Sequence, residues 1–312
     1  MIYTHVHQLI GQTPLFEISQ MEIPNQCRIV AKLEYLNPGG SVKDRLGIAL
    51  LRDAEERGKL QPGGTVIEPT AGNTGIGLAL AAVGRGYRVI CVVPEKFSVE
   101  KQKLMKALGA ELVNTPTSEG MKGAIAKAHS LAKEMPGSFV PGQFENPANP
   151  GAYVDTLGPE IYEALGGRLD VFIAGGGSGG TFQGVATYLK QQDSSIRTVI
   201  VEPEGSILNG GESGPHDTEG IGMEFIPTFM NSDLMEGIHT ITDREAFYWM
   251  RELAKKEGLL VGSSAGAAFA AALNEAETLP EGSVIATVFA DSSERYLSKD
   301  VYELWKEEDS HA

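Results

Sequence analysis

At 312 residues the chain is long enough for two compact lobes or one large α/β domain, and its 42% hydrophobic content marks it as globular. A net charge of −15, from 41 acidic against 26 basic side chains, argues against nucleic acid and anionic membrane surfaces as partners. No apolar run approaches the ~20 residues of a membrane span, and the N-terminus has no signal-peptide pattern. The two cysteines, Cys27 and Cys91, lie far apart and outside any metal spacing, so both read as small buried hydrophobes of a reducing cytoplasm, and no metal is expected.

Residues 1 to about 36 form a lead-in with one short strand, Arg28-Ile-Val-Ala-Lys-Leu33. The stretch Asn37-Pro-Gly-Gly-Ser-Val-Lys-Asp-Arg45 then turns tightly, with Gly39 and Gly40 suited to positive φ and to close approach of a ligand. An apolar helical pattern follows over about 43–58, which puts Lys43 in a first helical turn, where the dipole disfavours a positive charge. The neutral amine favoured there is the form that attacks a carbonyl to give a Schiff base. For a lysine taken alone, a solvated cation is the ordinary reading.

Beyond the Lys59-Leu-Gln-Pro-Gly-Gly64 break the pattern alternates: strand 65–69, helix 75–84, strand 88–93, helix 98–108, strand 110–115 and helix 120–134. The four prolines between Pro136 and Pro150 read as an irregular crossover. A second alternating set has helix 153–165, strand 169–174, helix 180–190 and strand 198–202. After a long loop come helix 243–257, opened by the capping box Thr242-Asp-Arg-Glu245, strand 259–261, helix 265–277 and strand 284–289. Continuous β-branched runs between helices imply parallel sheets covered on both faces, which bind ligands at the C-terminal edges of their strands.

Two further glycine-rich turns sit at such edges. Thr70-Ala-Gly-Asn-Thr-Gly75 follows Thr65-Val-Ile-Glu-Pro69, and Gly175-Gly-Gly-Ser-Gly-Gly-Thr181 follows Val171-Phe-Ile-Ala174; both open helices. In the second, Gly177, Ser178, Gly179, Gly180 and Thr181 offer successive N–H groups and two hydroxyls at a helix start, a nest for a phosphate dianion. The same turn also satisfies the Gly-x-Gly-x-x-Gly spacing of a dinucleotide fold, with Glu202 about 22 residues on as the acidic ribose partner. A dehydrogenase therefore stays open on spacing alone, but it leaves the Lys43 motif and the Thr70 turn without a purpose.

Together the three turns resemble the fold-type II pyridoxal-phosphate enzymes of the cysteine synthase and cystathionine beta-synthase group, over a span from Ile10-Gly-Gln-Thr-Pro14 to about Tyr296. The resemblance implies two lobes, each with a mainly parallel sheet flanked by helices and the active site between them. Residues 1–40 plus 148–312 would form the larger lobe, and residues 41–147 the smaller one. It implies pyridoxal 5'-phosphate as cofactor, Lys43 as its Schiff-base lysine and as the acid–base group, and Asn73 orienting the ring. Gly177, Ser178, Gly179, Gly180 and Thr181 would cradle the phosphate, and Ser264 would face the pyridine nitrogen. Thr70, Ala71, Gly72, Thr74 and Gln143 would bind substrate; Ala71 stands where many relatives carry serine.

Local readings compete at two of these positions: Asn73 as a turn or capping residue, and Ser264 as a helix N-cap. The implied reaction is β-replacement on O-acetylserine by a thiol. The wording of the 202–212 and 218–227 loops, and Leu157 where many synthases have threonine, most resemble bacterial O-acetylserine-dependent cystathionine beta-synthases, whose acceptor is homocysteine. Sulfide, the acceptor of a cysteine synthase, is the second reading, and an inactive scaffold a remote one. A homodimer is expected from the family alone. The acids Glu212, Asp217, Glu219 and Glu224 are candidates for pairing with the ammonium of homocysteine, against the plainer reading of a solvated loop.

Overall fold

The computed structural model describes residues 2–306. In chain order the regular elements begin with strands β1 (Leu15–Glu17) and β2 (Arg28–Leu33), helix α1 (Lys43–Glu56), β3 (Thr65–Pro69), α2 (Asn73–Ala82), β4 (Arg88–Pro94) and α3 (Val99–Ala107). They continue with β5 (Glu111–Thr115), α4 (Gly120–Glu134), β6 (Ser138–Phe139), α5 (Ala148–Val154), α6 (Leu157–Ala164), β7 (Val171–Gly175) and α7 (Gly180–Gln192). The last are β8 (Arg197–Pro203), β9 (Gly237–Ile241), α8 (Asp243–Glu252), α9 (Ser263–Ala276) and β10 (Val284–Phe289).

The described chain divides into two compact units, residues 2–10 with 37–149 and residues 11–36 with 150–306. The first contains a four-stranded sheet in the order β5-β4-β3-β6, parallel throughout. Its inner strands β3 and β4 are buried on both faces over most of their length, as a sheet covered by helices requires, and Ile67, Ile90 and Val92 pack against Ala124 and Ala128 of α4. The second contains a six-stranded sheet in the order β1-β2-β10-β7-β8-β9, parallel except for β1. Helix α9 is buried almost all round because its run of alanines and glycine leaves room for the sheet on one side and α8 on the other. The expected architecture of two parallel sheets flanked by helices is what the chain adopts.

Several local expectations need correction. Residues 2–10 pack with the first unit, not with the C-terminal half, because the 3-10 turn Val6–Leu9 lies against α2. The helix expected over 153–165 is two helices, broken where the Thr156 hydroxyl turns back to the Ala152 carbonyl at 2.6 Å and Pro159 has no N–H to continue the ladder. The expected strand 259–261 is a single bridge between Val261 and Ser292, since both edges of β10 are already taken by β2 and β7. Strands β1, β6 and β9 arise in stretches that read as lead-in, crossover and loop; each is short and lies at a sheet edge. The capping box forms as read, with Thr242 Oγ1 accepting from the Glu245 N–H at 3.1 Å and Glu245 accepting from the Thr242 N–H at 3.0 Å.

Candidate active site

Within the first unit, two helices begin side by side. Lys43 is the first residue of α1 and Asn73 the first of α2. The helices touch backbone to backbone: a Cβ on Gly47 would run into the Gly77 carbonyl, and one on Gly77 into the Lys43 carbonyl. That contact fixes where both helix starts lie. Lys43 is half-buried, while the neighbouring Asp44 is buried and its carboxylate accepts the Gly39 N–H at 2.5 Å, closing the Pro-Gly-Gly turn. Of the two turn glycines only Gly40 takes a positive φ; Gly39 is needed for the room its missing side chain leaves beside Asp44.

Asn73 is neither left-handed nor the N-cap, a position that Gly72 fills with φ 137. The Thr70 hydroxyl accepts from the Gly72 N–H at 2.9 Å and the Gly75 N–H at 3.3 Å, so the loop closes on its own first residue. Ala71 is half-buried between them. Thr74 donates to Gln143 Oε1 at 2.7 Å, and Gln143 Nε2 donates to the Pro69 carbonyl at 2.9 Å, which brings the crossover glutamine onto the loop.

Beneath them lies Glu68, fully buried, accepting the Gly142 N–H at 3.1 Å and the Gln143 N–H at 3.2 Å. Burial pushes its carboxyl up to about 8 despite those bonds, and pushes the neighbouring Cys91 thiol up to about 12. Glu68 and the buried Lys101, whose stem packs over Gly72, were not singled out in the sequence. A charged residue inside the apolar run of β3 was the available signal.

Within the second unit, β7 delivers the turn that starts α7. Gly179 is the N-cap in the left-handed region at φ 79, and a Cβ on Gly177 would strike the Gly220 carbonyl. The Gly222 N–H bonds the Gly176 carbonyl at 2.7 Å, so the 218–223 loop lies across the turn. Ser178 and Thr181 are buried, and the Thr181 hydroxyl has no hydrogen-bond partner among the described residues. Ser264 is the second residue of α9, not its N-cap, and is buried close to Gly220. Ser263 Oγ accepts the Glu219 N–H at 3.3 Å, and the buried Glu219 carboxylate forms an ion pair with Lys299. Glu212, Asp217 and Glu224 are exposed. Glu202 is buried and accepts from the Leu208 N–H at 2.8 Å, the Asn209 N–H at 2.9 Å and the Thr240 hydroxyl at 3.1 Å. It is committed to folding its own loop, which removes the ribose partner that a dinucleotide site would need.

A glycine turn with side-chain space already filled, a helix N-terminus and a buried hydroxyl in want of an acceptor suit a phosphate ester. The family described as pyridoxal-phosphate dependent enzyme matches residues 6–291. The chain belongs to that family. Its cofactor is pyridoxal phosphate. This family member is 58% identical over 304 residues to a cysteine synthase of Helicobacter pylori, spanning 97% of this chain and 99% of that protein. It is 54% identical over 302 residues to the O-acetylserine dependent cystathionine beta-synthase of Bacillus subtilis, spanning 97% and 98%. Among solved structures, the O-acetylserine dependent cystathionine beta-synthase from Helicobacter pylori matches with a TM-score of 0.94 at 57% identity, covering 97% of this chain and 99% of that one. Relatives of near-equal similarity thus carry both activities, and this chain is an enzyme of the cysteine synthase group.

Proposed function

We propose that the chain catalyses β-replacement on O-acetyl-L-serine with homocysteine as acceptor, giving cystathionine and acetate. Bound pyridoxal phosphate supplies the electron sink that acidifies the α-carbon of the amino acid and lets a β-substituent leave. Lys43 holds the cofactor through its ε-amine, and the freed amine takes the α-proton and later returns it. Gly177, Ser178, Gly179, Gly180 and Thr181 hold the phosphate, Asn73 orients the ring, and the Ser264 hydroxyl hydrogen-bonds the ring nitrogen. Thr70, Ala71, Gly72, Thr74 and Gln143 grip the substrate carboxylate, and the Thr74–Gln143 bond prepares two of them in advance.

The observation that carries the assignment is the Gly47–Gly77 contact, which ties the placement of Lys43 to that of the Asn73 helix. Borohydride reduction of the holoenzyme followed by peptide mapping tests it: the pyridoxyl group is expected on Lys43, and label on another lysine sinks the assignment.

For the acceptor, the support is Glu219, a buried carboxylate beside the Gly220 segment that crosses the phosphate turn. Sulfide is the second reading, favoured by the Lys299 partner that Glu219 already has. A competition assay with O-acetylserine as donor decides. Homocysteine is expected to have the higher kcat/KM and to lose it in Glu219→Gln, with Glu224→Gln, an exposed position, as the comparison. A strong preference for sulfide, untouched by either substitution, makes the chain a cysteine synthase.

A further inference from the structure

Glu68 has no part in the reaction outlined above, yet it is a fully buried carboxyl at the end of β3, immediately before the Thr70 loop. Each of its oxygens receives one backbone N–H, Oε2 from Gly142 at 3.1 Å and Oε1 from Gln143 at 3.2 Å. Gln143 is held at three more points: its Nε2 donates to the Pro69 carbonyl at 2.9 Å, its Oε1 accepts from the Thr74 hydroxyl at 2.7 Å, and its carbonyl accepts from Asn149 Nδ2 at 2.6 Å. The bonds to Glu68, Pro69 and Thr74 all close on one short stretch, from the end of β3 to the start of α2. Taking a carboxyl out of water is costly, and an apolar side chain of similar size would avoid that cost. What the carboxyl alone offers, once ionised, is two acceptor oxygens on one planar group, matched to two successive N–H groups of another segment.

We infer that Glu68 is a positioning residue for substrate binding. Its carboxyl straps the Gly142–Gln143 turn to the base of the Thr70 loop, so that the second N–H of the Gln143 amide, whose Oε1 the Thr74 hydroxyl holds, meets the amino-acid carboxylate already in place. The inference rests on the reading of that loop as the substrate grip. Glu68 acts through Gln143 and touches neither substrate nor cofactor. Below about 8 the protonated carboxyl, like a glutamine, carries a donor of its own; above it the carboxylate accepts both N–H groups, whereas in glutamine one of them would face an NH2 group and the turn would loosen.

The test uses the pyridoxal-phosphate-loaded wild type, Glu68→Gln and Gln143→Ala, at a pH above about 8, where Glu68 is ionised. Backbone amide exchange is measured without amino acid, and the affinity for L-alanine, which has no β-leaving group, is read from cofactor absorbance. In Glu68→Gln, protection of the Gly142 and Gln143 amides is expected to fall about tenfold, the loss of one net hydrogen bond, and L-alanine to bind about tenfold more weakly. KM for O-acetylserine should rise in step while kcat changes less than twofold, a split that general destabilisation would not produce. Wild-type protection and affinity in Glu68→Gln overturn the inference, as does lost protection with unchanged affinity. Rapid exchange of both amides in the wild type overturns it without any variant. If Gln143→Ala weakens L-alanine and Glu68→Gln does not, the strap alone fails; if Gln143→Ala binds L-alanine normally, the substrate reading of the loop fails with it.

Discussion

Ser264 and Lys299 show how much a single side chain can decide in this protein. Ser264 stands at the second position of α9, where it makes no cap and is free to serve a ring nitrogen. Ser264→Ala is expected to retain the cofactor and slow single-turnover conversion by the worth of one strong hydrogen bond, about 1–3 kcal/mol. Ser264→Asp should slow it further by protonating the ring; unchanged rates in both variants would reduce the serine to packing. Lys299 pairs with the buried Glu219. If homocysteine brings its own ammonium to Glu219, Lys299 competes with it. Lys299→Met should then raise the ratio of kcat/KM for homocysteine to that for sulfide, and a ratio that falls or stays level would speak against Glu219 as the acceptor's partner.

Among the elements, the pair α1 and α2 has little tolerance. Gly47 and Gly77 bring their backbones into contact, and any side chain at either position must push the helices apart. Gly77→Ala is expected to cost about 1–3 kcal/mol or more by overpacking, measured by urea unfolding, and to lower cofactor occupancy because Lys43 and Asn73 are displaced together. Full occupancy in a destabilised variant would separate the helix contact from the site. At the start of α8 the capping box offers a cleaner quantity: Thr242→Ala should cost about 1 kcal/mol and leave turnover of the surviving folded enzyme unchanged.

Across the whole molecule, two carboxyls give the stability a pH dependence on opposite sides of 4.5, the ordinary value of both. Glu68 is raised from its ordinary 4.5 to about 8, so the folded state prefers it protonated. Its contribution is complete below 4.5 and is lost as pH climbs towards about 8, at up to roughly 1.4 kcal/mol per pH unit. Glu275 is lowered to about 2 by His239 and Arg197, which join α9 to β9 and β8. Its contribution is present above 4.5 and is lost as pH falls towards about 2. Urea midpoints measured from pH 3 to 9 should change less between 4.5 and about 8 in Glu68→Gln, and less below 4.5 in Glu275→Gln. A Glu68→Gln curve parallel to wild type would mean that the carboxyl is not kept neutral by its burial.

The local chemistry was legible along the chain wherever a signal is short in range. The glycine turns after β3 and β7, the capping box at Thr242, the parallel strands written as β-branched runs and the helix start at Lys43 all follow from neighbours a few residues apart. Their wording was enough to place the chain in its family and to supply its cofactor. Contacts between distant residues were not legible, because sequence carries no record of which backbone a missing side chain makes room for. Gly47 and Gly77 looked like ordinary helix residues until packing joined them. Glu68 looked like one more acid until burial and two N–H groups 74 and 75 residues away gave it a place. Glu219 read as an open loop acid, and only the fold paired it with Lys299, 80 residues on. Short edge strands β1, β6 and β9 escaped for the same reason: two to five residues carry too little periodicity, and the neighbouring strand decides whether they pair.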